Sequence, residues 1–420
     1  MEIGYLHKNN KIEFIIKFLI FILPLTLVSG PFIPDAIISI SSITFLTLLR
    51  KEKIIFLKKN NFIKFFLCFY IYIVINSLFS DQLWVSLKSS ITYLRFILFV
   101  CLVYYCCKYY PKTKYIFTLG LLFSFCVLCI DANFQYITGK NFFGFEPQIS
   151  PLRISGMFNE ELILGSYLTR LFPLLFGLLF LFFNKKKNFT HYMLLFTFLV
   201  SFTIFISAER TSSVLHLMSL TLLLFFFNFP KRYKLIIFGS LLVSVFAIIS
   251  LNPHVKHRVI TETLHNSDRG KYVFSRVHTA HYLTAINIFL EKPVFGSGIK
   301  TFRYLCNEDK YKKDRFNNPF KFWQFSCSTH PHNIYIQILS ETGIVGFIFL
   351  ISFYIYLIIS LFKNPSNNKD ELYFYRSALI CLIINFFPFA PSGNFFNNWV
   401  SMIYILPLGF MLANIKTKQQ

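Results

Sequence analysis

The chain has 420 residues, of which 55% are hydrophobic, 20% aromatic and 15% charged, with a mean hydropathy of +0.55. A soluble chain carries about a quarter charged residues; here Phe (56), Tyr (23) and long Ile/Leu runs fill the deficit, excluding a water-soluble multidomain enzyme, a disordered chain and a disulfide-rich secreted scaffold. The formal net charge of +23 would suggest nucleic acid in a soluble protein, so where that charge sits decides its meaning.

Bilayer hydrocarbon is about 30 Å thick and takes roughly 20 apolar residues per helix. Twelve stretches meet that need, at about 12–30, 32–49, 62–79, 91–110, 115–134, 161–183, 190–207, 211–229, 233–251, 333–362, 373–389 and 398–414. Their apolar residues surround the whole helix, and they do not alternate as barrel strands would. The expected fold is an all-α polytopic membrane protein, with helices 1–9 in residues 1–251, a hydrophilic loop at 252–332 and helices 10–12 in 333–420. The first run follows Lys8 and Lys11 like a signal peptide, but no small-residue cleavage site is convincing, and Pro31 and Pro34 lead straight into the next run. It reads as a retained anchor.

Lys and Arg in short loops set orientation. With the N-terminus cytoplasmic, twenty fall in the inside segments and four (Lys88, Lys140, Arg153, Arg210) in the short outside loops. Both termini are therefore expected inside, and the positive charge is largely topological, so no nucleic acid partner is expected. The loop at 252–332 falls outside and holds 13 Lys/Arg, 6 Asp/Glu and 7 of the 10 His. Loops this long are usually functional. No inverted repeat is visible, which counts against common transporter folds. Seven of nine cysteines lie in the apolar runs; Cys306 and Cys327 share the outer loop, where a disulfide is open, and no spacing resembles a zinc site.

Ionisable groups at lipid depth are expensive and are functional candidates. Lys17 and Lys64 lie near the cytoplasmic ends of their spans and can snorkel. Arg170 lies nine residues into its span, about 13 Å deep at 1.5 Å per residue. Arg95 sits four residues into another inward-running span, Arg210 in the turn Ser207-Ala-Glu-Arg-Thr-Ser-Ser213 beside Glu209, and Arg153 just before the sixth span. All four arginines fall on the outer side of the midplane, where Glu160, Glu161, Glu209 and Asp131 are the acids at hand. One reading is an outward-facing cavity lined by guanidinium groups, whose forks match phosphate oxygens. The other pairs Arg170 and Arg95 with Glu161 or Asp131 as structural ion pairs.

Residues 276–291 of the outer loop read as an amphipathic helix headed by Arg276, stopped by Pro293 and a turn at Gly296 and Gly298. The segment from His332 to Phe362 would span about 46 Å as one helix, so its first three turns should project outward and hold His332 and Asn333 at the cavity's mouth. Pro331 suits a helix start. His330 and His332 are two ligands without a third, and no metal is expected.

These residues together resemble the O-antigen ligase family, related to O-antigen polymerases and O-linking oligosaccharyltransferases. The family pattern His-(Asn/Ser/Gln)-x9-Gly-x-x-Gly is met by His332, Asn333, Gly343 and Gly346. The stretches Phe158–Tyr167, Glu209–Ser212 and Lys292–Gly298, and the long loop between the ninth and tenth spans, are also similar. The resemblance covers about 150–410. It implies metal-independent, inverting glycosyl transfer at the periplasmic face of the inner membrane, from a glycan on undecaprenyl diphosphate to lipid A–core, without a cofactor. By motif, Arg210 and Arg276 would bind the diphosphate and His332 would activate the acceptor hydroxyl. Asn333, Glu209, Gly343 and Gly346 would support them. Arg153, Arg170 and Glu161 join the site by depth and side alone. A polymerase using the same donor is the near alternative, and a flippase the distant one.

Overall fold

The computed structural model describes residues 10–48, 60–110, 112–147, 153–228, 274–312 and 323–414, with isolated positions 234, 239 and 256. The expected ninth span and the first part of the hydrophilic loop lie outside the described residues. Within them the chain is helical, with no β-strand. In chain order the helices are α1 (Asn10–Thr26), α2 (Phe32–Leu48), α3 (Asn61–Leu78), α4 (Leu83–Tyr109), α5 (Thr113–Thr138), α6 (Leu164–Phe183) and α7 (Phe189–Ile206). There follow α8 (Arg210–Phe226), α9 (Arg276–Glu291), α10 (Phe302–Leu305), α11 (Ile334–Leu361), α12 (Lys369–Asn385) and α13 (Asn398–Leu412).

Six of these, α3 to α7 and α11, are long and apolar enough to cross a membrane; α2, α8 and α13 are apolar but shorter. This describes a multi-pass membrane protein, and the described helices alone do not reach the expected twelve spans. Two boundaries moved for visible reasons. α4 begins about two turns before the expected residue 91, because Ser86 is buried and its hydroxyl donates to the Ile299 carbonyl. α12 runs from Lys369, capped by the Asn368 side chain, to Asn385. The apolar Phe386-Phe-Pro388 beyond it resembles span in composition, yet a residue before proline is pushed out of the helical region.

α6 and α12 form the centre of the bundle. They lie along one another, with Gly177 so close to Ser377 that an added Cβ would come within 2.6 Å of its hydroxyl. Leu168, Leu171, Phe172, Leu175, Ala378, Leu379 and Leu382 are fully enclosed there. Small residues at such crossings let helix backbones pack where lipid removes the hydrophobic drive between helices. On the outside of the bundle the apolar residues stay exposed, including Ile137, Tyr192, Leu195, Ile348 and Ile359, as suits a hydrocarbon solvent. α1 packs on α5, and α4 on α2, α3 and α13. The open end of α1 is closed by side chains: Tyr167 Oη donates to the Pro24 carbonyl at 2.7 Å and Trp399 Nε1 to the Leu27 carbonyl at 2.9 Å. That fixes the α1–α2 turn against α6 and α13, where it becomes one wall of the site.

Candidate functional site

The base of the site is a break in α11. Asn333 caps the helix, its Oδ1 accepting from Tyr335 and Ile336 N–H while its Nδ2 donates to the Pro388 carbonyl at 2.7 Å. Helical geometry then fails at Gly343, with φ +65° and ψ −168°, a region essentially open to glycine alone. The turn after α9 docks into this break. Ile344 N–H donates to the Pro293 carbonyl (2.9 Å), Ser297 N–H to Ser340 (3.1 Å) and Gly298 N–H to Glu341 (2.8 Å). Tyr72 and Asn76 of α3 add bonds to the carbonyls of Thr342 and Phe295. A Cβ on Gly296 would meet the backbone of Glu341 to Gly343 at 2.5–2.6 Å. The 46 Å continuous helix is therefore not formed: about two and a half turns precede the break, and the remaining Ile344–Leu361 is about 27 Å long, near the hydrocarbon thickness.

Above it opens a cavity of about 1460 Å³. Its walls are the α1–α2 turn, the segment from Arg153 into α6, the α7–α8 turn, residues 329–332 and the loop leading into α13. Arg153, Arg170, Arg210, Glu161, Glu209 and His332 all line it. Glu209 acts as a clamp. Its carboxylate accepts from Gly165 N–H (2.7 Å), Ser166 N–H (3.0 Å) and Ser212 Oγ (2.9 Å), capping α6 and fixing the start of α8 beside it. Burial pushes the Glu209 carboxyl up, and the bond from Ser212 and the charge of Arg153 pull it back. Arg170 is 5% exposed and is oriented by Ser166 Oγ (3.1 Å), the Asn385 carbonyl (3.2 Å) and the Tyr404 ring, 4.8 Å away. α6 begins at Leu164, so Arg170 lies about 9 Å in rather than 13 Å. Arg153 Nη2 donates to the Leu162 carbonyl at 3.0 Å. Ion pairing of Arg170 with Glu161 or Asp131 does not occur; Asp131 instead accepts from Phe142 N–H at 2.8 Å.

His332 faces the cavity in the left-handed region, φ +59°, with its carbonyl accepting from Ser392 N–H at 2.9 Å. Rings of His330, His281 and His278 surround it at 4.2, 5.1 and 5.5 Å. Ser328 gives its hydroxyl proton to the His330 carbonyl at 2.7 Å, so its 3.3 Å contact with His332 Nε2 is made as acceptor. The network thus assigns the proton to Nε2 and leaves Nδ1 of His332 as the open lone pair. Burial lowers His332 below its ordinary 6.5; burial with His332 beside them takes His278 and His281 to about 4 and His330 to about 3. These rings are neutral at pH 7. The transfer rate should therefore show no histidine limb at pH 6.5, its acid limb lying lower. Stability contributed by the neutral rings is full above 6.5 and is lost as pH falls towards 4. A pH–rate profile with a melting series checks both.

Arg276, Asn333, Gly343 and Gly346 do not line the cavity. Arg276 heads α9, whose next turns carry His278 and His281; Asn333 and the glycines shape its base. Arg95 is elsewhere, pairing with Asp35 of α2 at 2.8 Å. Cys306 and Cys327 form a disulfide. Arg303, Ser166, Ser328, Tyr404, His278 and His281 belong to the site although the sequence singled out none of them as such, because tertiary contacts rather than local spacing bring them in; His330, noted in the sequence only as a possible metal partner of His332, packs on the His332 ring. No group of histidine, cysteine and acidic side chains among the described residues is arranged to hold a metal ion.

A family model described as O-antigen ligase matches residues 194–351. The match runs from α7 into α11 and includes Arg210, Arg276, His332, Asn333, Gly343 and Gly346. It supports assignment of the chain to the O-antigen ligase family and suggests a ligase or polymerase type of function. No curated protein matches the chain.

Proposed function

We propose, from that family assignment as premise, that the protein is an inverting glycosyltransferase at the periplasmic face of the inner membrane, moving a glycan from undecaprenyl diphosphate to lipid A–core. The observation that carries the reading is one cavity lined by Arg153, Arg170, Arg210 and a neutral His332. At about 1460 Å³ it exceeds the roughly 300–1,000 Å³ of a small-molecule pocket and suits two glycolipids meeting head to head. Guanidinium forks hold the diphosphate and stabilise the charge that grows on it as it leaves. His332 Nδ1 takes the proton of the acceptor hydroxyl as its oxygen attacks the anomeric carbon. Arg276, which the motif also assigns to the donor, heads α9 outside this cavity.

The test is complementation. In cells lacking a ligase, wild type should restore capped lipid A–core on a lipopolysaccharide gel. Arg210→Ala should reduce capping 10²–10³-fold, the usual loss for one stabilising donor. Restoration of long chains only in polymerase-deficient cells would reassign the protein as a polymerase with the same donor. Full activity of Arg210→Ala would remove the arginine from the site.

A further inference from the structure

The turn Asn141–Phe145, which follows α5, is built around a buried side chain. Asn141 is 2% exposed. Its Oδ1 accepts from the N–H groups of Phe143 and Phe145, both at 2.9 Å, and its Nδ2 donates to the Gly156 carbonyl (2.9 Å) and to Asn159 Oδ1 (3.1 Å). Two further buried groups of α5 hold the turn: Asp131 accepts from Phe142 N–H at 2.8 Å, and Gln135 donates to the Phe145 carbonyl at 3.2 Å. Gly144 closes it at φ +83°, in the left-handed region that glycine enters freely. What this framework presents outward is the rings of Phe142, Phe143 and Phe145, which are 55, 66 and 46% exposed.

The three rings differ in their surroundings. Phe142 stacks on Phe134 at 4.7 Å, on the face of α5 where Ile130 and Ile137 also stay exposed, as lipid-facing residues do. Phe143 and Phe145 instead line the cavity, and Phe142 does not. The wall they join is bonded to the turn through Gly156 and Asn159 and carries Arg153, Asn159 and Glu161. Hydrocarbon finds no match in a wall of mixed rings and charges. A ligand with apolar faces and a hydroxyl rim does. The C–H bonds on one face of a pyranose are slightly positive and rest on the negative face of an aromatic ring, while its edge hydroxyls bond to the polar groups alongside. Fixing the rings through main-chain bonds also lowers the ordering cost of binding.

We propose that Phe143 and Phe145 form a stacking subsite for a saccharide ring of a glycan substrate. This rests on the glycosyl-transfer reading, in which donor and acceptor both carry sugars, and adds a contact that neither the arginines nor His332 supply.

The test uses the full-length protein in proteoliposomes with a lipid-linked glycan donor and a core glycolipid acceptor, each varied in turn. Phe143→Leu and Phe145→Leu keep apolar bulk but lose the ring. Both should raise KM about 3- to 10-fold for the same one of the two substrates, the worth of a ring contact, and leave the other KM unchanged. The substrate affected is the one whose sugar stacks. Phe143→Tyr should behave as wild type, and so should Phe142→Leu, which changes only the lipid-facing ring. Wild-type KM values in both leucine variants would overturn the proposal, as would equal losses for both substrates or losses matched by Phe142→Leu. A second measurement needs no turnover. In Phe143→Trp, the delipidated glycan of one substrate should shift the tryptophan emission, and glycan-free polyprenyl phosphate should not. The reverse pattern would make the rings a lipid contact and overturn the subsite. Wild type inert in transfer while the glycan still shifts the emission would overturn the glycosyl-transfer reading and leave the subsite standing.

Discussion

His332→Ala should slow glycan transfer 10²- to 10⁴-fold, the range set by a positioned general base, while donor binding stays near wild type. The guanidinium groups that hold the diphosphate do not depend on the imidazole: Arg170 is oriented by Ser166 and Asn385, and the start of α8 by the Glu209 clamp. Folding should survive as well, because alanine pays about the same left-handed backbone cost as histidine at φ +59° and the carbonyl still accepts from Ser392. His332→Gln retains a polar side chain but cannot take a proton, so it should be nearly as slow as the alanine variant. Single-turnover transfer of a labelled lipid-linked glycan, with donor binding measured separately, checks this. A rate within threefold of wild type would remove His332 from the chemistry. A collapse of donor affinity would make it a binding group.

The sequence carried membership of a span but not direction. Counting residues placed Arg95 four and Arg170 nine residues into inward-running spans, yet Arg170 turns into the cavity and Arg95 towards Asp35. Depth follows from position along a helix, whereas the facing partner depends on which helices pack around it. The same limit explains the histidines. His332 was legible through its spacing to Gly343 and Gly346, but His278 and His281 reach it only because α9 packs against α11. Arg303 needed the disulfide, whose pairing the sequence left open. Most helices were legible because lipid demands uninterrupted apolar length. The start of α4 was not, because Ser86 is buried against a loop rather than against hydrocarbon.

Gly343→Ala should be the most damaging change outside the cavity, because it attacks the joint that holds the histidine-bearing segments. At φ +65° and ψ −168° an L residue costs roughly 1–3 kcal/mol. Its Cβ would also press on the Val294 carbonyl and come within 2.7 Å of Gly296 N. Both are backbone atoms of the docked turn and cannot rotate away, adding about 1–3 kcal/mol of overpacking. The turn should undock, releasing the 293–298 bonds and loosening α9, so transfer falls at least as far as in His332→Ala while the bundle's helical content persists. Gly346→Ala is a graded control. Its Cβ would press on the Thr342 hydroxyl, stand 2.6 Å from that residue's Cβ and reach the Tyr72 ring at 3.4 Å, all side-chain rather than backbone atoms, so moderate loss is expected. Limited proteolysis around 293–298, alongside helicity by circular dichroism, separates local undocking from global unfolding. Gly343→Ala with wild-type activity and protease resistance would mean that the break in α11 is not what positions His332.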